Sequence, residues 1–173
     1  FFTTCKGGIG LGGTIDINPP TIYAAYPPAN AVVRDTFTLK GMIDDDVGVK
    51  TVTVSYIKAD GHPASARAAV DNGSKTWQVV LNQKDSNGKF LIGDGRQVFN
   101  ILAEDQSGKT ASIEWFLTID NTPPLLILNR PSTKALNPGT SYRDGDAFGA
   151  DFWLVGQVYD KSDVAKLEIE AKA

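Results

Sequence analysis

Ile119-Asp120-Asn121-Thr122-Pro123-Pro124 restates, about one hundred residues further along, the earlier stretch Ile15-Asp16-Ile17-Asn18-Pro19-Pro20. Each copy is an apolar residue, an acid, an Asn close behind, and a proline pair. Proline cannot donate to a strand ladder and stiffens the chain, so the pair marks a join between units. A short apolar strand follows each: Thr21-Ile22-Tyr23-Ala24 and Leu125-Leu126-Ile127-Leu128. Further on, Leu39-Lys40-Gly41-Met42-Ile43 matches Leu154-Val155-Gly156-Gln157-Val158, and Val49–Val54 matches Val164–Ile169. Acidic loops lie between them, Asp44-Asp45-Asp46-Val47-Gly48 and Tyr159-Asp160-Lys161-Ser162-Asp163. The second copy carries a longer insertion from Asn137-Pro138-Gly139 to Asp151. A repeat of this length, read from punctuation, decides the architecture.

Between the joins the pattern is that of strands. Thr36–Lys40 and Val52–Ile57 alternate apolar and polar residues, giving each one apolar face. Trp77–Leu81 is a further strand, and Val98–Ala103 and Ala111–Leu117 flank the hairpin turn Asp105-Gln106-Ser107-Gly108-Lys109. No segment sustains helical periodicity. About seven strands separated by turns define an all-β, immunoglobulin-like β-sandwich. The expected organisation is a flexible tether at 1–17, one complete sandwich at 18–121, and the N-terminal part of a second, truncated sandwich at 122–173.

The residues Gly41-x-x-Asp44-Asp45-x-x-Gly48-Val49, Trp77, Gly95, Ala103-Glu104-Asp105-Gln106-Ser107-Gly108-Lys109 and Asp120-Asn121-Thr122-Pro123-Pro124 together resemble bacterial immunoglobulin-like domain repeats of surface proteins and lipoproteins. The resemblance extends over residues 18–121 and then over the first strands of the next copy. It implies a sandwich serving as a spacer or protein-binding module of an exported protein at the bacterial envelope or surface. Lys109 departs from that family, where Asn usually follows the glycine, and this weakens a ligand role at the turn.

Phe1-Phe2-Thr3-Thr4-Cys5-Lys6, with the glycine tract Gly7–Gly13, looks like a lipoprotein junction, with Cys5 as the acylated residue. Thr4 and Phe2 are unusual for such a junction. Cys5 is the single cysteine, so an intrachain disulfide is excluded. The chain of 173 residues has 17 basic and 20 acidic residues, a net charge of −3 that argues against a nucleic-acid partner. No run of about 18 apolar residues exists to form a transmembrane span.

Catalysis requires a general acid and base, or an activated nucleophile beside a base. The only histidine, His62, sits in Asp60-Gly61-His62-Pro63, which reads as a turn. A non-enzymatic role is therefore expected. The most specific chemistry lies in the acidic loops. In an immunoglobulin-like sandwich, the loops after the second and sixth strands crowd one end, beside the approach to the first strand. That end gathers Asp16, Asn18, Asp44, Asp45, Asp46 and Asp105. The second copy offers Asp120, Asn121, Asp160 and Asp163. Oxygen ligands converging from several segments suit calcium, although turn formation alone accounts for most such residues. No cofactor is required; calcium is the one these loops can hold.

Trp77, Trp115, Phe37 and Phe99 fall at strand positions and are expected in the core. Tyr23, Tyr26, Tyr142 and Trp153 could stack on sugar, but nothing in the sequence places them together. The expected function is a structural or adhesive module whose partners are neighbouring immunoglobulin-like domains and a host or envelope protein or glycan. An accessory, carbohydrate-presenting domain of a secreted glycan-active enzyme is the alternative.

Overall fold

The computed structural model describes residues 16–128, 153–162 and 164–169. Eleven strands are present among them: β1 (Thr21–Tyr26), β2 (Val32–Val33), β3 (Phe37–Asp44), β4 (Val49–Ile57), β5 (Pro63–Arg67), β6 (Ala69–Asp71), β7 (Thr76–Leu81), β8 (Gly95–Asp105), β9 (Thr110–Ile119), β10 (Leu125–Leu128) and β11 (Gly156–Tyr159). No helix among the described residues is long and apolar enough to cross a membrane.

Alternation builds the core. In β7, Trp77, Val79 and Leu81 point inward while Thr76, Gln78 and Val80 face solvent. In β8 the inward set is Phe99, Ile101, Ala103 and, at the strand's end, Asp105. Leu39 and Ile43 of β3 and Ile22 of β1 join β7, while Val52 and Val54 of β4 and Leu117 and Ile119 of β9 join β8. Phe37 and Tyr56 lean on the Phe99 ring, with centroids 6.0 and 6.2 Å away. Burying a side chain such as Phe99 or Leu39 contributes about 1.5–3 kcal/mol, so these inward rows drive the sheets together. Trp77 and Phe99 are wholly enclosed, whereas Phe37 and Trp115 are half-buried against the core.

One sheet has the order β1-β3-β7-β6, antiparallel throughout. The other has the order β2-β9-β8-β4-β5, in which β2 runs parallel to β9 and the remaining pairs are antiparallel. These are the A-B-E-D and G-F-C arrangements of an immunoglobulin-like sandwich, with β2 added beside the G strand and β5 beside the C strand. The chain changes sheets between β1 and β2 at Tyr26-Pro27-Pro28, where two prolines end the first ladder. The Trp115 indole N–H donates to the Pro27 carbonyl at 2.9 Å and fixes that crossing.

A third, two-stranded sheet pairs β10 with β11. Counted from the proline pairs, its register repeats that of β1 and β3. Thr21 faces Asp44, Ile22 faces Ile43, Tyr23 faces Met42 and Ala24 faces Gly41. Likewise Leu125 faces Tyr159, Leu126 faces Val158, Ile127 faces Gln157 and Leu128 faces Gly156. The two glycines share a reason for being glycine. A Cβ on Gly41 would lie 1.8 Å from the Tyr23 carbonyl oxygen, and one on Gly156 would lie 2.7 Å from the equivalent Ile127 oxygen.

Candidate functional site

The β3–β4 and β8–β9 loops meet at one end of the sandwich, where the Gln106 N–H donates to the Gly48 carbonyl at 3.3 Å. Each loop is shaped by an aspartate accepting from the backbone ahead of it, the usual device of a tight turn. Asp45 Oδ2 accepts from the N–H groups of Val47 (3.0 Å) and Gly48 (2.7 Å). Asp105 Oδ1 accepts from the N–H groups of Ser107 (2.7 Å) and Lys109 (2.9 Å) and from the Ser107 hydroxyl (2.9 Å). Asp105 occupies the last inward position of β8, so its carboxylate is fully enclosed. Burial pushes its pKa up, but the bonds from Ser107 and Lys109 and the Lys109 charge prevail and hold it below the ordinary 3.8.

Asp16, ahead of the first proline pair, completes this end. Its side chain is 7% exposed. Lys109 Nζ reaches it by donating to the Asp16 carbonyl oxygen at 2.9 Å and forms an ion pair with Asp16 Oδ1 at 2.8 Å. The same ammonium donates to Ser107 Oγ at 2.6 Å and lies 3.9 Å from Asp105 Oδ2. Its bond and ion pair with Asp16 raise the Lys109 pKa above 10.5, against burial and with help from Asp105 and Asp46. Carboxylate oxygens of Asp16, Asp45 and Asp46 lie within 4.8 Å of one another. Asn18 Nδ2 donates to Asp46 Oδ2 at 3.3 Å. Asp16 Oδ2, Asp45 Oδ1 and Asp105 Oδ2 are buried without a hydrogen-bond donor.

Of the six residues expected at this end, five converge and Asp44 does not. Leu39, Gly41 and Ile43 are inward in β3, so Asp44 points outward and pairs with Lys75 at 2.8 Å. That bond with Lys75 holds the Asp44 pKa below its usual value. The second joint is built differently. Asn121 Oδ1 accepts from the Asp35 N–H (3.2 Å) and from Asn82 Nδ2 (2.9 Å), and its Nδ2 donates to the Ile92 carbonyl (3.1 Å). Its side chain thus makes three hydrogen bonds to the preceding sandwich. Asp120 accepts from the Thr122 N–H at 3.3 Å and Asp160 from Ser162, both ordinary turn contacts. Asp120, Asn121 and Asp160 border one groove without forming an acidic group like that at the first joint. Asp163, Cys5 and Tyr142 lie outside the described residues.

Three residues that hold these joints escaped the sequence reading. Lys109 appeared there only as a departure from a turn pattern. Asn82, wholly buried, donates to the Asp35 carbonyl (2.8 Å) and accepts from the Ile92 N–H (3.1 Å) besides meeting Asn121. Asp94 accepts from the Asn121 N–H at 2.8 Å and from the Thr122 hydroxyl; the hydroxyl above all holds its pKa low. His62 is an exposed turn residue beside Asp60.

No protein-family model matches the chain, and no curated protein does. Among solved structures, the chain is similar to the endo-beta-1,4-mannanase from Thermotoga petrophila (16% identity, TM-score 0.46, over 62% of this chain and 21% of that one). It is also similar to dimeric latent PorU from Porphyromonas gingivalis (12% identity, TM-score 0.46, over 70% and 12%). A third similarity is to the titin M10–obscurin-like 1 Ig complex (17% identity, TM-score 0.33, over 61% and 97%). The chain thus spans about a fifth of the mannanase chain and about an eighth of PorU. The β-sandwich assignment rests on the strand order and pairing described above.

Proposed function

We propose that this chain is a non-catalytic structural or adhesive module of an exported bacterial surface protein, a spacer or protein-binding repeat. In this reading, residues 18–121 form one immunoglobulin-like sandwich and residues 122–173 the first strands of a second, with Cys5 as a lipid attachment point. The observation that supports it most is the common register of β1–β3 and β10–β11, down to the glycine that faces the same carbonyl in each. A second start of the same sheet, joined by a proline pair, is the layout of a rod of stacked domains. His62 is exposed, Asp105 braces a hairpin, and Asn121 and Asp94 hold the linker, so these polar groups serve turns and joints.

Modular use requires that 16–121 fold alone. Expressed without 122–173, it is expected to unfold in one cooperative step at a midpoint close to that of the full chain. A fragment without cooperative unfolding would refute the modular reading. Mass spectrometry of the native protein tests the anchor, since an unmodified thiol on Cys5 removes it. One observation favours the carbohydrate-presenting alternative: Tyr23 and Tyr26 are exposed opposite Met42 and Lys40, on the outward face of the β1–β3 pair. Loss of glycan binding in a Tyr23→Ala, Tyr26→Ala double variant would establish that role, and failure to bind any glycan would remove it.

A further inference from the structure

We propose that Asp16, Asp45 and Asp46 form a divalent-cation site of the calcium type, joining the segment ahead of β1 to the β3–β4 loop. The inference stands on geometry at one end of the sandwich and does not depend on what the module binds.

Converging acids are common at loop ends, so the grouping of three carboxylates within 4.8 Å is not sufficient by itself. The second observation is what burial has done to their oxygens. Asp16 and Asp105 are more than nine-tenths enclosed, and Asp16 Oδ2 and Asp105 Oδ2 have no donor. Asp45 Oδ2 is held by two backbone N–H groups, which leaves Oδ1 free, buried and also without a donor. Buried carboxylate oxygens are costly unless something positive or hydrogen-bonding meets them. Among the described residues, Lys109 is the ammonium paired with Asp16 and Asp105, while Lys75, which borders Asp45 and Asp46, is paired with Asp44. Four carboxylates against one ammonium leave three negative charges unmatched in a partly enclosed space.

The donor set selects the class of ion. All the candidate ligand atoms are hard oxygens, without His or Cys, which disfavours zinc. They come from separate chain segments, with Asn18 adjoining Asp46, and nothing imposes the compact octahedron that magnesium demands. Calcium accepts irregular sets of six to eight oxygens, completed by water. The second joint supplies an internal contrast. Aligned on the proline pairs and on Gly41 with Gly156, Asp120 and Asp160 stand where Asp16 and Asp45 do, but Lys161 replaces Asp46. A lysine in the third position brings its own positive charge, so the site belongs to the first joint alone.

The test uses the full chain, titrated with CaCl2 or MgCl2 after chelator treatment and followed by calorimetry and thermal unfolding. One calcium per chain is expected, with Kd on the order of 10⁻⁴–10⁻³ M, typical of extracellular modules, and weaker magnesium binding. Calcium at about ten times Kd should raise Tm by a few degrees. Asp46→Asn, at an exposed position, should abolish binding without unfolding the protein, and Asp45→Asn should do the same. Asp44→Asn and Asp120→Asn should bind like the parent. Lys109→Met should be less stable in chelator and gain more from calcium than the parent gains. Absence of calcium binding in both the parent and Lys109→Met overturns the proposal. So does binding that survives Asp46→Asn and Asp45→Asn, or binding that is lost in Asp44→Asn.

Discussion

Replacing Asn121 by alanine should destabilise the sandwich far more than its half-exposed position in a linker suggests. Three hydrogen bonds run from its amide: to the Asp35 N–H, to Asn82 Nδ2 and to the Ile92 carbonyl. Asp35 is exposed, and water can replace its bond at little cost. Asn82 is not, being 1% exposed. One of its amide hydrogens stays on the Asp35 carbonyl, and its oxygen stays on the Ile92 N–H, but the second hydrogen is left without an acceptor. The Ile92 carbonyl loses its side-chain donor as well. A buried polar group stranded in this way costs about 1–3 kcal/mol, so two give about 3 kcal/mol in total. For a sandwich of this size that lowers Tm by roughly 10–20 °C. Urea unfolding followed by tryptophan fluorescence measures it, with an unchanged slope showing that the midpoint shift is stability alone. Asn121→Asp keeps an acceptor for Asn82 but sets a carboxylate oxygen against the Ile92 carbonyl and a second charge beside Asp94, so it should not restore the parent's stability. A loss below about 0.5 kcal/mol for the alanine variant, the level of an ordinary surface change, would falsify the account of Asn121 as the bond between linker and sandwich.

Gly41→Ala should cost more than the roughly 1–3 kcal/mol of ordinary overpacking, because the new methyl would lie 1.8 Å from the Tyr23 carbonyl and 2.8 Å from Trp77 Nε1. Chemical denaturation that shows it neutral would mean that β1 and β3 do not approach this closely. Phe99→Ala, at a position with no exposure, should cost about 3–5 kcal/mol by the same assay, and a loss under 1 kcal/mol would contradict its central place. Asp105, Asp94, Asp44, Asp60 and Asp71 all have folded pKa values below 3.8. Their contribution is therefore complete above the unfolded value and is lost as pH falls below 3.8 through the folded values. Urea midpoints should drop across that range, and Asp105→Asn, weaker than the parent at neutral pH, should converge on it in acid. Lys109 has the opposite sign: its raised pKa gives stability that persists below 10.5 and fades as pH climbs through the folded value.

The strands that carry the core were legible because two-residue alternation encodes which side chains turn inward, and Trp77-Gln78-Val79-Val80-Leu81 is inward at every odd position. The edge strands were not. Pro63-Ala64-Ser65-Ala66-Arg67 has small residues and no apolar row, and it is a strand because β4 offers a free edge beside it. Val32-Val33 is too short to carry a period at all. The same rule that found the strands could have removed Asp44 from the ligand group, since Leu39, Gly41 and Ile43 already commit it to the outward face. Convergence of Asp16 with Asp45 was legible from the sandwich plan. The pairing of Asn82 with Asn121 was not, because it joins positions far apart in the chain with no charge or spacing to announce it.

The two joints suggest why an acid and an amide recur before each proline pair without keeping the same partners. Aligned on the prolines, Asp16 corresponds to Asp120, Ile17 to Asn121 and Asn18 to Thr122. Asn121 turns back to the loops of the sandwich it leaves, whereas Asp16 and Asn18 reach forward to Lys109 and Asp46 of the sandwich they lead into. A linker tied on only one side swings, so stiffness requires contacts in both directions within a few residues. Those contacts occupy adjacent positions, and each can vary while the prolines hold the chain extended between them. On the forward side of the first joint, the partly enclosed Asp16 carboxylate meets positive charge. Lys109 supplies some of it at the first joint, and Lys161, in place of Asp46, brings a cation to the second. A lysine at position 46 should therefore make the first joint independent of calcium, with Asp46→Lys showing no Tm response to the ion and stability in chelator at least equal to the parent's.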